Sequence, residues 1–235
     1  MNIFKFKQFS VRHERSAMKV GTDAVLLGAW AYNGDPIVNG MGLDVGCGCG
    51  VITLMMAQRF TAMEWWGIEL EKNAAMEANE NFKNSPFDSL RAIQGDFLSW
   101  NAENKFDRIT CNPPYFQSAL SVDSEARQMA RQEKFLPPQV FLKCAYNCTT
   151  RQGKLAVVLP PDRKTYWLEQ ANRVGWNVER ICKVSGNREV KESRYLIQWS
   201  KEMALQEVAM DELVLEEVRG VRTNDFFSLT QDFYL

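Results

Sequence analysis

From residue 41 onward the chain alternates short apolar runs with longer stretches whose apolar positions recur every three or four residues. The runs at 41–45, 64–69, 90–94, 106–111 and 154–159 read as strands. Between them, 51–59 places Val51, Leu54, Met55 and Gln58 at helical spacing. Residues 71–83 are rich in helix formers and stop at Asn84-Ser85-Pro86, while 137–149 and 165–174 are also helical, the latter closed by Gly175. Residues 177–184 and 194–200 read as a strand pair joined by the polar stretch 185–193. Strands alternating with helices predict an α/β fold, a mostly parallel seven-stranded sheet covered by helices on both faces. The closing strand pair stands in place of a last crossover and leaves one strand antiparallel. In such a sheet ligands bind beyond the carboxyl ends of the strands, where the strand order reverses.

Composition narrows the class. A chain of 235 residues makes one large domain, and it buries roughly 70–75% of its unfolded surface, enough for a core without disulfides. Six cysteines beside a single histidine do not make a zinc set, so free thiols in a reducing compartment and no metal are expected. No apolar run is long enough for a membrane helix and no signal peptide is visible, so a cytoplasmic protein is expected, and a monomer is expected as well. The net charge of −1 excludes a globally basic nucleic-acid coat. Residues 1–20, however, set Lys5, Lys7, Arg12, Arg15 and Lys19 against Glu14 alone. That basic arm either contacts RNA or is a solvated terminus. Phe4, Phe6 and Phe9, interleaved with it, either stack on unpaired bases or pack onto the domain. His13, the only histidine, lies in the same arm and reads as a contact to RNA or solvent.

Four motifs fall at predicted strand ends. Asp44-Val45-Gly46-Cys47-Gly48-Cys49-Gly50 leads from the first strand into a helix. A dinucleotide fingerprint spaces its glycines at relative positions 1, 3 and 6, whereas here they fall at 1, 3 and 5, with Asp44 two residues earlier. An acidic group there repels a pyrophosphate and suits a ligand carrying an ammonium. Glu69 ends the second strand, where a carboxylate accepts both hydroxyls of a ribose or simply caps the next helix. Gly95-Asp96-Phe97 follows the third strand; the aspartate is placed to accept an adenine amine and the phenylalanine to pack on its ring, although a plain turn has the same sequence. Asn112-Pro113-Pro114-Tyr115 closes the fourth strand, a tetrapeptide expected by chance in about one chain in a thousand of this length. Its prolines stiffen the loop, so the Asn112 amide oxygen and Pro113 carbonyl converge on one planar amine while Tyr115 stacks on the ring carrying it.

Together the motifs resemble the class I, Rossmann-like methyltransferases that use S-adenosylmethionine. Phe6-Lys7-Gln8-Phe9, the run 13–30 and the closing 229–235 resemble one family among them, the bacterial tRNA(Val) adenine-37 N(6)-methyltransferases. That resemblance implies methyl transfer to the exocyclic amine of an adenine in tRNA. It puts Lys19, Thr22, Asp23, Asp44 and the Gly46, Gly48, Gly50 turn at the methionine end of the cofactor. Glu69 then takes the ribose, Asp96 and Phe97 the adenine, and Asn112 to Tyr115 the target base. Cys47 and Cys49 replace smaller residues and would narrow the cofactor pocket if they faced it. The expected organisation is an N-terminal basic arm and cofactor lid over 1–40, followed by a catalytic domain over 41–235. Two rival readings are methylation of a glutamine amide in a translation release factor and a non-catalytic RNA-binding module that keeps the fold.

Overall fold

The apolar runs become the inner strands of one sheet in the computed structural model, which describes residues 3–36, 39–103, 105–114, 136–189, 192–202 and 207–234. A short hairpin, β1 (Ile3–Lys5) and β2 (Ser10–Arg12), precedes helix α1 (Thr22–Trp30). The alternating body follows: β3 (Gly40–Val45), α2 (Val51–Arg59), β4 (Met63–Glu69), α3 (Lys72–Lys83), β5 (Leu90–Gln94) and β6 (Phe106–Cys111). Next come α4 (Pro138–Cys148), β7 (Thr149–Leu159), α5 (Pro161–Val174), β8 (Asn177–Ser185) and β9 (Glu192–Ser200). Strand β10 (Ala209–Val214), the hairpin β11 (Glu216–Val218) and β12 (Val221–Arg222), and helix α6 (Asn224–Thr230) close the described chain.

The main sheet runs β10-β8-β9-β7-β6-β3-β4-β5. Strand β9 is antiparallel to both neighbours and every other pairing in this sheet is parallel. The crossover through α5 skips one slot, and β9 returns from β8 to fill it, setting Leu155, Val157 and Leu159 opposite Trp199, Ile197 and Tyr195. The seven expected strands are therefore present, and an eighth, β10, extends the edge beside β8. The chain leaves β3 towards β4 and β5, then returns to β6 and β7 on its other side. The strand order reverses between β3 and β6, and the crevice there is the natural ligand site.

Helices α1, α2, α3 and α6 bury their apolar residues on one sheet face, α4 and α5 on the other. Phe6, Phe9, Val11 and the apolar side chains of Ala24–Tyr32 share a core with α2. Helices α1 and α2 approach closely at Gly28, where an added Cβ would lie 2.5 Å from the Met55 sulfur. The tryptophans are largely packing residues, with Trp30, Trp65, Trp66, Trp167, Trp176 and Trp199 all buried. No helix of the described residues is long and apolar enough to cross a membrane.

Candidate active site

Three neighbouring strand tips make the floor of the crevice. Val45 of β3 lies opposite Ile68 of β4 and Cys111 of β6, which brings Asp44, Glu69 and Asn112 onto adjacent strands about 4.8 Å apart. The turn after β3 runs through left-handed backbone at Gly46 (φ 70°), Gly48 (φ 53°) and Gly50 (φ 83°). A Cβ on Gly50 would strike the Phe82 ring at 2.4 Å, so that glycine serves the packing of α2 on α3. A Cβ on Gly46 or Gly48 would meet nothing within 4 Å. Those two positions form an open cradle of backbone facing the crevice.

Glu69 is tied to that cradle. One carboxylate oxygen accepts the Gly48 N–H at 2.9 Å and the other accepts the Glu71 N–H at 3.0 Å. Each oxygen keeps further acceptor capacity for a hydroxyl. Asp44 does not line the crevice as expected. Its side chain lies fully buried under the turn, accepting the Thr53 hydroxyl at 2.9 Å and the Thr110 hydroxyl at 3.1 Å. Burial raises its pKa to about 7, against the pull of both hydroxyl bonds. Cys47 and Cys49 also turn inward, and the Cys47 sulfur fills the space above Gly67, where a Cβ would sit 2.5 Å away. They do not narrow the cradle.

Asp96 is exposed, and its carboxylate accepts the Leu98 N–H at 3.0 Å in a local turn. Phe97 departs from expectation: its ring is buried against Phe141 of α4, with centroids 5.6 Å apart, rather than open to an adenine. Asn112 is half-buried, Pro113 buried and Pro114 half-buried at the tip of β6, while Tyr115 lies outside the described residues.

The N-terminal segment reaches the same edge. Helix α1 starts at Thr22 after the cap Gly21; Lys19 and Thr22 are exposed and Asp23 pairs with the Arg194 Nε at 2.8 Å. Arg194 belongs to β9 and was not singled out in the sequence, since its partner lies 171 residues away. Two further unforeseen residues sit on α3. Glu77 accepts the backbone N–H groups of Glu14, Arg15 and Ser16 and the Ser16 hydroxyl. Burial opposes its charge, but these donors prevail and hold its pKa below the ordinary value. Asn81 exchanges both amide bonds with Arg12 and donates to the Cys49 carbonyl. Their spacing of four residues on one helix was the available signal. His13 is buried and its Nδ1 accepts the Val20 N–H at 2.8 Å, so it holds this loop rather than meeting RNA or solvent.

Among the expected RNA contacts, Lys5, Lys7, Arg12 and Arg15 are all exposed. Lys7 donates to the Gln231 carbonyl and Arg15 pairs with Glu80 at 2.8 Å. Phe6 and Phe9 are buried and stack on each other at 4.6 Å, so they pack onto the domain and are closed to bases.

The methyltransferase small domain family matches residues 24–165. A tRNA1(Val) (adenine(37)-N6)-methyltransferase of Flavobacterium psychrophilum is 35% identical over 238 residues, covering 99% of this chain and 99% of its own. One from Yersinia pestis is 38% identical over 237 residues, covering 99% of this chain and 93% of its own. The chain belongs to the tRNA1(Val) (adenine(37)-N6)-methyltransferase family. A solved structure described as a predicted O-methyltransferase of Agrobacterium tumefaciens shares the fold with a TM-score of 0.66 at 15% identity, covering 90% of this chain and 96% of that one. The magnesium protoporphyrin IX methyltransferase of Synechocystis, solved with bound S-adenosylmethionine, gives 0.53 at 13% identity over 76% and 78% of the two chains.

The methyltransferase cofactor fits the residues present. The open backbone at Gly46 and Gly48 accommodates close approach, and the adjoining Glu69 carboxylate is the acceptor a ribose diol requires. When ionised, the buried Asp44 beneath the turn adds a negative field suited to a cationic cofactor and unsuited to a pyrophosphate.

Proposed function

We propose that this chain transfers a methyl group from S-adenosylmethionine to the N6 amine of adenosine-37 in tRNA1(Val). The observation that carries the reading is the position of Asn112-Pro113-Pro114 immediately after β6, one strand from the glycine cradle and across the point where strand order reverses. S-adenosylmethionine supplies a methyl group on a sulfonium, a leaving group that needs no acid.

The residues of the chain then have a limited task. Gly46, Gly48 and Glu69 hold the cofactor, and Asp44 acts through the turn above it. Lys19, Thr22 and Asp23 close over the methionine end as a lid, with Asp23 anchored by Arg194. Asp96 takes the adenine amine of the cofactor. Asn112 and the Pro113 carbonyl accept hydrogen bonds from the two N–H groups of the target amine, which favours its rehybridisation and stabilises the positive charge developing on nitrogen until one of those protons is lost to solvent. Tyr115 stacks on the target ring. Holding the amine in line with the methyl group supplies much of the remaining rate. A base in the anticodon loop is unpaired, so its extrusion costs little.

The deciding experiment incubates the protein with cofactor and tRNA and reads the digested nucleosides by mass spectrometry. The expected product is N6-methyladenosine, mapped to position 37 by fragment analysis. Any other methylated nucleoside would overturn the assignment.

A further inference from the structure

The hairpin β1–β2 is pinned to α3 at Arg12 and Asn81, and a groove of about 400 Å³ lies along their junction. Its polar walls come from Lys7, Gln8 and Arg12 on the hairpin side and Asn84 at the end of α3, and its floor from Phe6 and Phe9. No carboxylate lines it among the described residues. The walls are held in place before any ligand arrives. The Lys7 ammonium donates to the Gln231 carbonyl, and the Arg12 backbone is fixed at both N–H and C=O by Asn81. Under the floor, Phe6 stacks on Tyr234 at 6.0 Å and Phe9 meets Phe87 edge-on at 5.9 Å. A preformed, carboxylate-free groove with two cations and amide donors has the chemistry of a phosphodiester site.

We propose that this groove seats the sugar–phosphate backbone of the tRNA substrate, outside the nucleotide being methylated. The inference rests on the tRNA reading above and refines it, because the structure divides the basic arm. Lys7 and Arg12 line the groove, whereas Arg15 is engaged by Glu80 and Lys5 does not line it. The groove adjoins the glycine turn from outside: Asn81, which lines it, donates to both the Arg12 carbonyl and the Cys49 carbonyl, while Asn84 extends it along the end of α3 that lies away from Glu69. A polynucleotide whose target base enters the crevice has flanking phosphates to place in an adjoining groove.

The test compares the double variant Lys7→Gln with Arg12→Gln against the unaltered chain and against Lys143→Gln, an exposed lysine on α4. Binding of a fluorescent tRNA1(Val) transcript is followed by anisotropy over a range of salt concentrations. The double variant is expected to lower the salt slope by between about one and two units and to weaken binding at least about fivefold near 0.1 M salt. Cofactor affinity and kcat at saturating tRNA stay unchanged, and so does the Lys143→Gln slope. An unchanged slope in the double variant, with methylation intact, overturns the groove alone. AMP binding that the double variant abolishes, with no change in tRNA slope, also overturns it in favour of a small-nucleotide site. Absence of N6-methyladenosine from the unaltered chain overturns the tRNA reading itself.

Discussion

Asp44 has no solvent exposure, yet it joins the two halves of the site. Its carboxylate takes one hydroxyl from Thr53 at the start of α2 and one from Thr110, two residues before Asn112. Among the described residues the other titratable groups around it, Glu69 of β4, Cys47 and Cys49 of the turn and Cys111 of β6, are all acids and offer no compensating cation. Its pKa therefore stands at about 7 in the folded chain, against about 4 unfolded. The sign of the consequence follows. Without cofactor, the stability linked to this group is fully present below about pH 4 and is lost as pH rises through about 7. A cationic cofactor favours the ionised form, so S-adenosylmethionine affinity is expected to rise through the same pH. Thr110→Val removes one hydroxyl donor to the carboxylate and should move that inflection upward, while Thr110→Ser should restore it. Calorimetric titrations between pH 6 and 9 read both; an inflection indifferent to the valine would show that Thr110 does not hold Asp44. Asn112 is expected to behave differently. Asn112→Ala should lower kcat by at least about a hundredfold and leave cofactor affinity nearly unchanged, and near-normal turnover would remove Asn112 from the chemistry.

The polar face of α3 clips the N-terminal segment to the cofactor turn. Glu77 gathers three consecutive backbone N–H groups, and Asn81 ties Arg12 to Cys49 within the glycine turn. Glu77→Gln replaces one accepting oxygen with a donor that faces those N–H groups, at a cost of about 2–3 kcal/mol. Hydrogen exchange at Glu14, Arg15 and Ser16 should accelerate while the amides of β3 and β6 stay protected, and cofactor affinity should fall with the loosened lid. Uniform acceleration across the sheet would instead mean that Glu77 supports the whole fold. These contacts also show where sequence reading stops. Strands β5 and β6 and helix α2 have the bounds expected from the pattern, because each carries its own periodicity and stop signal. Helix α1 gives no such signal, since every residue from Ala24 to Trp30 is buried and no polar face alternates with the apolar one. Strands β10 to β12 are short or at edges and carry no alternation to read. The site divides in the same way. Glu69 and Asn112 stand at strand ends that the local sequence marks, while Arg194 with Asp23 and Glu77 with Ser16 exist only after distant segments meet. Phe97 misleads because Asp-Phe after a strand has one sequence whether the ring faces a ligand or the core.

Beyond the site, the two ends of the chain are fastened together on the outer face of α1 and α2. The Lys7 N–H donates to the Phe233 carbonyl at 2.8 Å, Gln58 donates to the Asp232 carbonyl at 2.8 Å, and the Arg59 guanidinium lies 5.3 Å from the Phe233 ring centre. Arg59 also donates to the carbonyls of Ala29 and Ala31, capping the end of α1. On the opposite flank of α1, Asp35 meets Arg108 and Lys154, and Lys154 also meets Glu179, a network joining the chain after α1 to β6, β7 and β8. The N-terminal segment is thus built into the molecule from both sides, which lets a basic hairpin be rigid enough to form a groove. Phe233, only 1% exposed, is the apolar anchor of the terminal knot. Phe233→Ala is expected to cost about 3–5 kcal/mol, which for a chain of this size lowers Tm by roughly 6–20 °C. Well below that temperature the sheet and its strand tips persist, so cofactor affinity should hold. The hairpin has lost its support, so tRNA affinity should drop by a larger factor than cofactor affinity. Thermal unfolding with paired binding measurements at 10 °C checks this, and equal losses of tRNA and cofactor binding would show that the terminal knot supports the entire molecule rather than the hairpin it touches.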